Sequence, residues 1–137
     1  MEFEQLVAVV VIVHREHRVL AMRRSPTKDA APGAWETVSG RLVPGEEPLD
    51  AARRELEEET QLSVRLTERP IDAYAATRAD RPMVVLAYSA QYVAGELHLS
   101  DEHDRHEWCT LKRFRSLCAF PRLVLAVERC LTSASQG

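Results

Sequence analysis

Apolar and polar positions follow two different periods along this chain. Residues 5 to 13, QLVAVVVIV, are apolar at nearly every position and rich in β-branched side chains, the pattern of a strand covered on both faces. After a polar turn, His14-Arg15-Glu16-His17, the stretch Arg18 to Arg23 alternates, with Val19 and Ala21 on one side and Leu20 and Met22 on the other. The two segments predict a hairpin. Arg23 and Arg24 end it, and a loop follows from Ser25 to Ala34, broken by Pro26, Pro32 and Gly33. Trp35 to Val38 reads as a short extended stretch.

Pro44, Gly45 and Pro48 punctuate the next loop, and then the period changes. From Pro48 to Thr60, Leu49, Ala52 and Leu56 form a helical apolar stripe while Asp50, Arg53 and Glu57 point away from it. Pro48 suits the first helical position, where its missing N–H is not needed. The strand pattern returns from Leu62 to Ala76, as one long or two short strands with Pro70 at a bulge or edge. A turn at Ala79-Asp80-Arg81-Pro82 precedes a second strongly strand-like run, Met83 to Val93, which Gly95 to Leu99 is expected to continue after a turn. Ser100 to Glu107 reads as a charged loop and Trp108 to Leu111 as a short strand. Leu111 to Leu117 and Pro121 to Leu131 read as helices, the second with Leu123, Val127 and Leu131 at helical spacing, and Thr132 to Gly137 as a frayed tail. Strands before a helix, strands after it and closing helices indicate an α/β domain with a central mixed sheet and helices on its faces.

Composition narrows the function classes. The 137 residues make one domain, long enough to bury a core. A net charge of -3 and a pI near 6.0 remove the electrostatic case for a nucleic-acid polymer as partner. The longest apolar run, Leu6 to Val13, is too short to span a bilayer and lacks a preceding basic region, so no membrane partner and a cytoplasmic location are expected. Cys109, Cys118 and Cys130 are odd in number and lack a C-x-x-C spacing, which argues against a disulfide framework and a zinc site.

Candidate chemistry lies in the first helix, where Glu55, Glu58 and Glu59 stand at i, i+3 and i+4. At about 100° per residue they fall within roughly 100° of one another. Like charges at that spacing destabilise a helix by ~0.2–0.5 kcal/mol per solvated pair, so a positive partner is called for. Carboxylates converging from one helix suit a hard divalent cation, Mg²⁺ in particular, which one or two carboxylates and substrate phosphates hold together. An acidic run taken alone is more often a solvated face with i,i+4 pairs such as Arg54 to Glu58.

The wider spacing decides between these readings. Gly40, five residues, Glu46, seven residues, then Arg54-Glu55-Leu56-x-Glu58-Glu59-x-Gln61-Leu62 resembles the Nudix box of the Nudix hydrolases, with Gln61 where the family has Gly. Trp-Glu-Thr-Val-Ser-Gly, 35 to 40, resembles the segment before the box, where Pro-Gly-Gly is more usual. The resemblance implies the Nudix fold, an α-β-α sandwich with a central mixed sheet and the box as a loop-helix-loop beside it, filled by a single domain over 1–137. It implies Glu55, Glu58 and Glu59 as ligands of Mg²⁺ or Mn²⁺, with Glu58 or Glu59 shared between ions, and Gly40 offering its backbone carbonyl. Glu46 and Arg54 are implied as orienting residues that steady those carboxylates.

A general base often lies outside the box in this family. Glu102, six residues before Trp108, resembles the downstream Glu of nucleotide-hydrolysing members, with Asp104 and Glu107 as rivals. Arg23 and Arg24 resemble strand-end residues that contact phosphates. Trp35, Tyr74 and Phe120 could stack on a base, although filling the core is the better reading for each. His103 and His106, three apart on a predicted loop, read as surface side chains rather than a metal pair. Gln61 is expected to strain or rearrange the helix exit, because Gly normally ends such a helix in the left-handed conformation.

The implied activity is metal-dependent hydrolysis of a nucleoside diphosphate linked to another moiety, releasing a nucleoside monophosphate. The alternative is a nucleotide-binding regulatory module without turnover, and a structural calcium site is disfavoured by the complete box. The implied partner is a small nucleotide-type molecule, and homodimers are common in the family. The chain has no Asn, so an Asn-mediated reading of oxidised guanine does not carry over. The Pro of many ADP-ribose hydrolases and the Tyr of diadenosine polyphosphate hydrolases are absent near Thr77 to Ala79.

Overall fold

The computed structural model describes residues 3–28 and 30–136. Eight strands form one mixed sheet: β1 (Leu6–Arg15), β2 (Arg18–Arg24), β3 (Trp35–Glu36), β4 (Val38–Arg41), β5 (Ser63–Leu66), β6 (Asp72–Arg78), β7 (Arg81–Ala94) and β8 (His103–Cys109). Three helices complete it: α1 (Pro48–Thr60), α2 (Leu111–Leu117) and α3 (Pro121–Gln136).

β1 is the axis of the sheet. It runs parallel to β7 from Leu6↔Met83 to His14↔Gln91, and its other edge is shared, with Ala8 to Val11 pairing β4 and His14 and Arg15 pairing β2. Its side chains alternate between two cores, as a pleat requires. Ala8, Val10 and Ile12 join Phe114, Leu123, Ala126 and Val127 of α2 and α3, whereas Val9, Val11 and Val13 join Ala51, Ala52 and Leu56 of α1. Each fully buried Val contributes about 1.5–3 kcal/mol, which is why the run is continuously apolar. The α-β-α sandwich follows from this double burial.

Both tight hairpins need left-handed residues and use neither Gly nor Asn. Glu16 and His17 (φ 50 and 63) close β1–β2, and Ala79 and Asp80 (φ 48 and 65) close β6–β7, the two-positive-φ geometry that matches strand twist. The polar turn predicted over 14 to 17 is thus two residues, and Arg81 and Pro82 already belong to β7.

Three expectations are corrected. The Ser100 to Glu107 loop becomes a strand from His103, paired antiparallel with β2 from Val19↔Cys109 to Arg24↔His103. Gly95 to Leu99 forms no strand, and its chain is tied instead by the His98 N–H donating to the Thr60 carbonyl (3.0 Å). The last helix continues through most of the tail expected to fray, with the Thr132 hydroxyl donating to the Glu128 carbonyl (2.9 Å); Gly137 lies outside the described residues. At the exit of α1, Gln61 itself takes the left-handed conformation (φ 59) and its N–H donates to Glu57 O (3.1 Å), so the helix ends without rearrangement. Among the described residues no helix is long and apolar enough to cross a membrane.

Candidate active site

β4 lies antiparallel to β1 with Gly40 opposite Val9, and the loop after it returns as α1, packed on the same face. The acidic side of α1 is thereby laid against β4 and the start of β8. Its three glutamates are placed differently. Glu59 is 1% exposed and Glu55 7%, whereas Glu58 stands in solvent.

Arg54 organises the outer part. Its Nε and Nη2 donate to the two oxygens of Glu46 (2.9 and 3.0 Å), Nη1 donates to Glu55 Oε1 (2.7 Å), and Nη2 also reaches the Arg41 carbonyl (3.2 Å). This two-pronged fork fixes orientation as well as charge. Glu58 Oε2 lies 3.6 Å from Arg54 Nη1. The bond from Arg54, then the Val43 N–H, hold the Glu46 carboxyl below its usual range. Gly40 is required by space: a Cβ there would collide with the Glu55 carboxylate. Its Cα therefore faces the Glu55 carboxylate directly.

The inner part is carried by residues from distant strands. Glu59 Oε1 accepts from the Ser39 N–H (3.3 Å), and its Oε2 is buried without a partner. Burial, then the neighbouring Glu55 carboxyl, then the charges of Glu36 and Glu102, push the Glu59 carboxyl up to about 11. The imidazole of His103 is 4% exposed and lies between two acids. Nε2 is 2.8 Å from Glu36 Oε2, and Nδ1, which has no hydrogen-bond partner, is 3.7 Å from Glu59 Oε1. Glu36 is held in turn by Arg24 Nη1 (3.2 Å) and the Ser39 hydroxyl (3.1 Å). Ligand atoms of Glu59, Glu102 and His103 lie within 4.8 Å of one another.

The residues expected to serve the site fall into three groups. Glu55, Glu59, Gly40, Arg54, Glu46 and Glu102 are brought together, and Glu58 borders them on the solvent side. Of the rival bases, Asp104 is bound to both Arg23 Nε (2.9 Å) and Nη2 (2.7 Å), and Glu107 to Arg113 (3.1 Å), which leaves Glu102 as the member of that trio in the cluster. Arg23 and Arg24 each hold a carboxylate, with Arg24 also donating to Ala30 O (2.8 Å). Trp35 and Tyr74 pack on the α2–α3 core as read, but Phe120 does not and is 40% exposed.

Sequence reasoning missed His103 as a buried residue, and it missed Glu36 and Arg78. Burial, followed by the charges of Arg41 and Arg24, holds the Arg78 guanidinium below its ordinary range. The signal for His103 was its place beside Glu102; its burial depends on the β2–β8 register, which local pattern does not reveal.

A divalent cation fits this donor set. Two buried polar atoms, Glu59 Oε2 and His103 Nδ1, have no partner, and the acids around them repel one another. Unsatisfied buried groups cost free energy that a cation would offset.

Known proteins agree with the architecture. The chain is 40% identical over 129 residues to an octanoyltransferase of Myxococcus xanthus, covering 90% of this chain and 35% of that protein. It is 43% identical over 61 residues to an RNA pyrophosphohydrolase of Erythrobacter litoralis, covering 44% of this chain and 36% of that one. It thus spans about a third of the length of these curated relatives. The crystal structure of a MutT protein from Methanosarcina mazei Go1 superposes with a TM-score of 0.82 at 20% identity, covering 99% of this chain and 100% of that one, a likeness of fold. The NUDIX domain profile matches residues 4–127, and with the box geometry in place the chain belongs to the Nudix hydrolase family.

Proposed function

We propose that the domain hydrolyses a phosphoanhydride bond in a nucleoside diphosphate linked to another moiety, a nucleoside triphosphate or nucleotide derivative, with Mg²⁺ or Mn²⁺ as cofactor and a nucleoside monophosphate as product. The observation that carries this reading is the convergence of Glu59, Glu102 and His103 beside the Arg54-held Glu55, with two buried donor atoms unpartnered. Glu55, Glu58, Glu59 and the Gly40 carbonyl would hold the cation. When bound, it neutralises charge on the phosphoryl oxygens and acidifies water, as this chemistry requires.

The chain's own residues supply the remainder. Arg54 and Glu46 fix the direction of Glu55 and so keep one ligand pre-aimed. Glu102, half in solvent and held among the described residues by a 3.8 Å contact to Lys28, is placed to take a proton from the attacking water. Arg23 and Arg24 contact phosphates; the Arg23–Asp104 pair is solvent-exposed and exchanges more readily than the Arg24–Glu36 pair. Trp35, paired with Arg23 through β3, is the remaining substrate-binding candidate, although its ring packs against the α2–α3 core. Acyl transfer, the activity named for the Myxococcus relative as a whole, lacks an activated nucleophile among the described thiols. Cys109, Cys118 and Cys130 are buried, and burial pushes each thiol up.

Phosphorus NMR of a nucleotide panel with Mg²⁺ tests the proposal. New monophosphate resonances are expected with wild type and a loss of about 10²-fold or more in rate with Glu58→Gln. Nucleotide binding without any new resonance would replace hydrolysis with the regulatory-module reading.

A further inference from the structure

We propose that His103 is itself a metal ligand, binding a divalent cation through Nδ1 together with Glu59 and beside the Glu102 base, and that this nitrogen tilts the site toward Mn²⁺ over Mg²⁺. The inference rests on the hydrolase site described above and adds a donor that no residue of the box supplies.

The orientation of the ring carries the argument. An ionised Glu36 can only accept hydrogen bonds, and its Oε2 already takes one from Arg24. The tautomer that donates from Nε2 to Glu36, 2.8 Å away, leaves the lone pair on Nδ1. Nδ1 is buried, unpartnered and aimed at Glu59 Oε1, at 3.7 Å too far for a hydrogen bond. Ligand bonds of ~2.1 Å place neighbouring donors of an octahedral ion ~3.0 Å apart and opposite donors ~4.2 Å apart. The observed 3.7 Å matches neither spacing, so binding would draw the two donors ~0.7 Å closer, to the separation of neighbouring ligands. Glu36, His103 and the cation would then form the carboxylate–histidine–metal relay in which the outer acid fixes the tautomer and raises the basicity of the ligating nitrogen.

The ring is also rigidly delivered. The His103 N–H donates to Ser100 O (3.3 Å), the Ser25 N–H takes the neighbouring Glu102 carbonyl (2.9 Å), and β8 pairs with Arg24 at this residue. Glu36 is braced by Ser39 as well as Arg24. A purely structural histidine could be an imidazolium clamped between Glu36 and Glu59, but that would close Nδ1–H onto Glu59, which the 3.7 Å separation does not show. Oxygen donors suit both ions, but Mn²⁺, the first of the transition series, accepts an imidazole nitrogen more readily than Mg²⁺ does.

Electron spin-echo spectroscopy of the full chain loaded with Mn²⁺ tests this without turnover. Wild type is expected to show ¹⁴N modulation of a directly bound imidazole, which changes to the ¹⁵N pattern when histidine alone is isotope-labelled. His103→Gln is expected to remove it and weaken Mn²⁺ about 10- to 100-fold while weakening Mg²⁺ less than about threefold; His106→Gln, at an exposed position, should change neither. Bound Mn²⁺ with no histidine modulation in wild type would overturn the ligand assignment while leaving hydrolysis standing. No Mn²⁺ or Mg²⁺ uptake at all would overturn both. The labelling comparison needs no variant, so a misfolded His103→Gln would not blunt the test.

Discussion

Gly40→Ala separates what the fold needs at this position from what the site needs. Gly40 lies in β4 outside the positive-φ region, so its backbone conformation is open to Ala and the requirement is for room alone. The new Cβ would overlap the Glu55 carboxylate, the far end of a flexible side chain, which must swing away and give up its 2.7 Å bond from Arg54. Arg54 is a third exposed, so that bond is worth only about 1 kcal/mol after solvent screening. Replacing Gly by Ala recovers about 0.4–1 kcal/mol by narrowing the unfolded ensemble. The net change should stay within about 1 kcal/mol, or ~3–4 °C in Tm for a domain of this size. Cation affinity should fall much further, because a displaced ligand costs at least the ~10–100-fold that loss of an outer-shell partner costs. Thermal melts in EDTA and calorimetric titration with Mn²⁺ check both. Wild-type Mn²⁺ affinity in a well-folded Gly40→Ala protein would refute the assignment of Glu55 as a ligand. A drop in Tm beyond ~10 °C would show that the fold itself demands this glycine.

Three further outcomes follow from the geometry. Gln61→Gly, at φ 59, should raise Tm by a few degrees by relieving a left-handed strain of ~1–2 kcal/mol, with turnover within about twofold of wild type; a large gain in turnover would show the native site to be impaired. In EDTA, Glu59 keeps its proton in the fold up to about 11 while the unfolded chain releases it near 4.5. Its contribution is therefore fully present below pH 4.5 and is lost as pH rises above it, by up to ~1.4 kcal/mol per pH unit. Urea melts at pH 5, 7 and 9 should show that slope in wild type and not in Glu59→Gln; equal slopes would show that Glu59 ionises normally. Cys109, with its thiol pushed up to about 12 by burial first and the Glu107 charge second, and the also buried Cys118 and Cys130, should resist thiol reagents at pH 8 until urea unfolds the protein. Fast labelling of the native chain would contradict that burial.

The legible parts of this protein are those where one local period carries the information. β1 shows as an unbroken apolar run because its two faces feed two cores, and α1 shows from Pro48 to Thr60 because its stripe and its acidic side are both helical in period. Most of β8 was hidden for the complementary reason: the short strand expected over Trp108 to Leu111 caught only its end, Trp108 and Cys109, and Leu111 instead begins α2. Most residues of β8 are polar, since its outward positions are spent on pairs such as Arg23–Asp104, and only His103, Trp108 and Cys109 turn inward or toward the cores. Its identity as a strand comes from β2, 81 residues away in sequence at the Arg23–Asp104 contact. The same register brings Glu102 and His103 over Glu59. The box could therefore announce its own glutamates from spacing, but not the histidine that faces them. An imidazole among acidic neighbours in a polar stretch carries no apolar signature, and only the Arg24–Glu36–His103 chain of contacts shows which way its free nitrogen points.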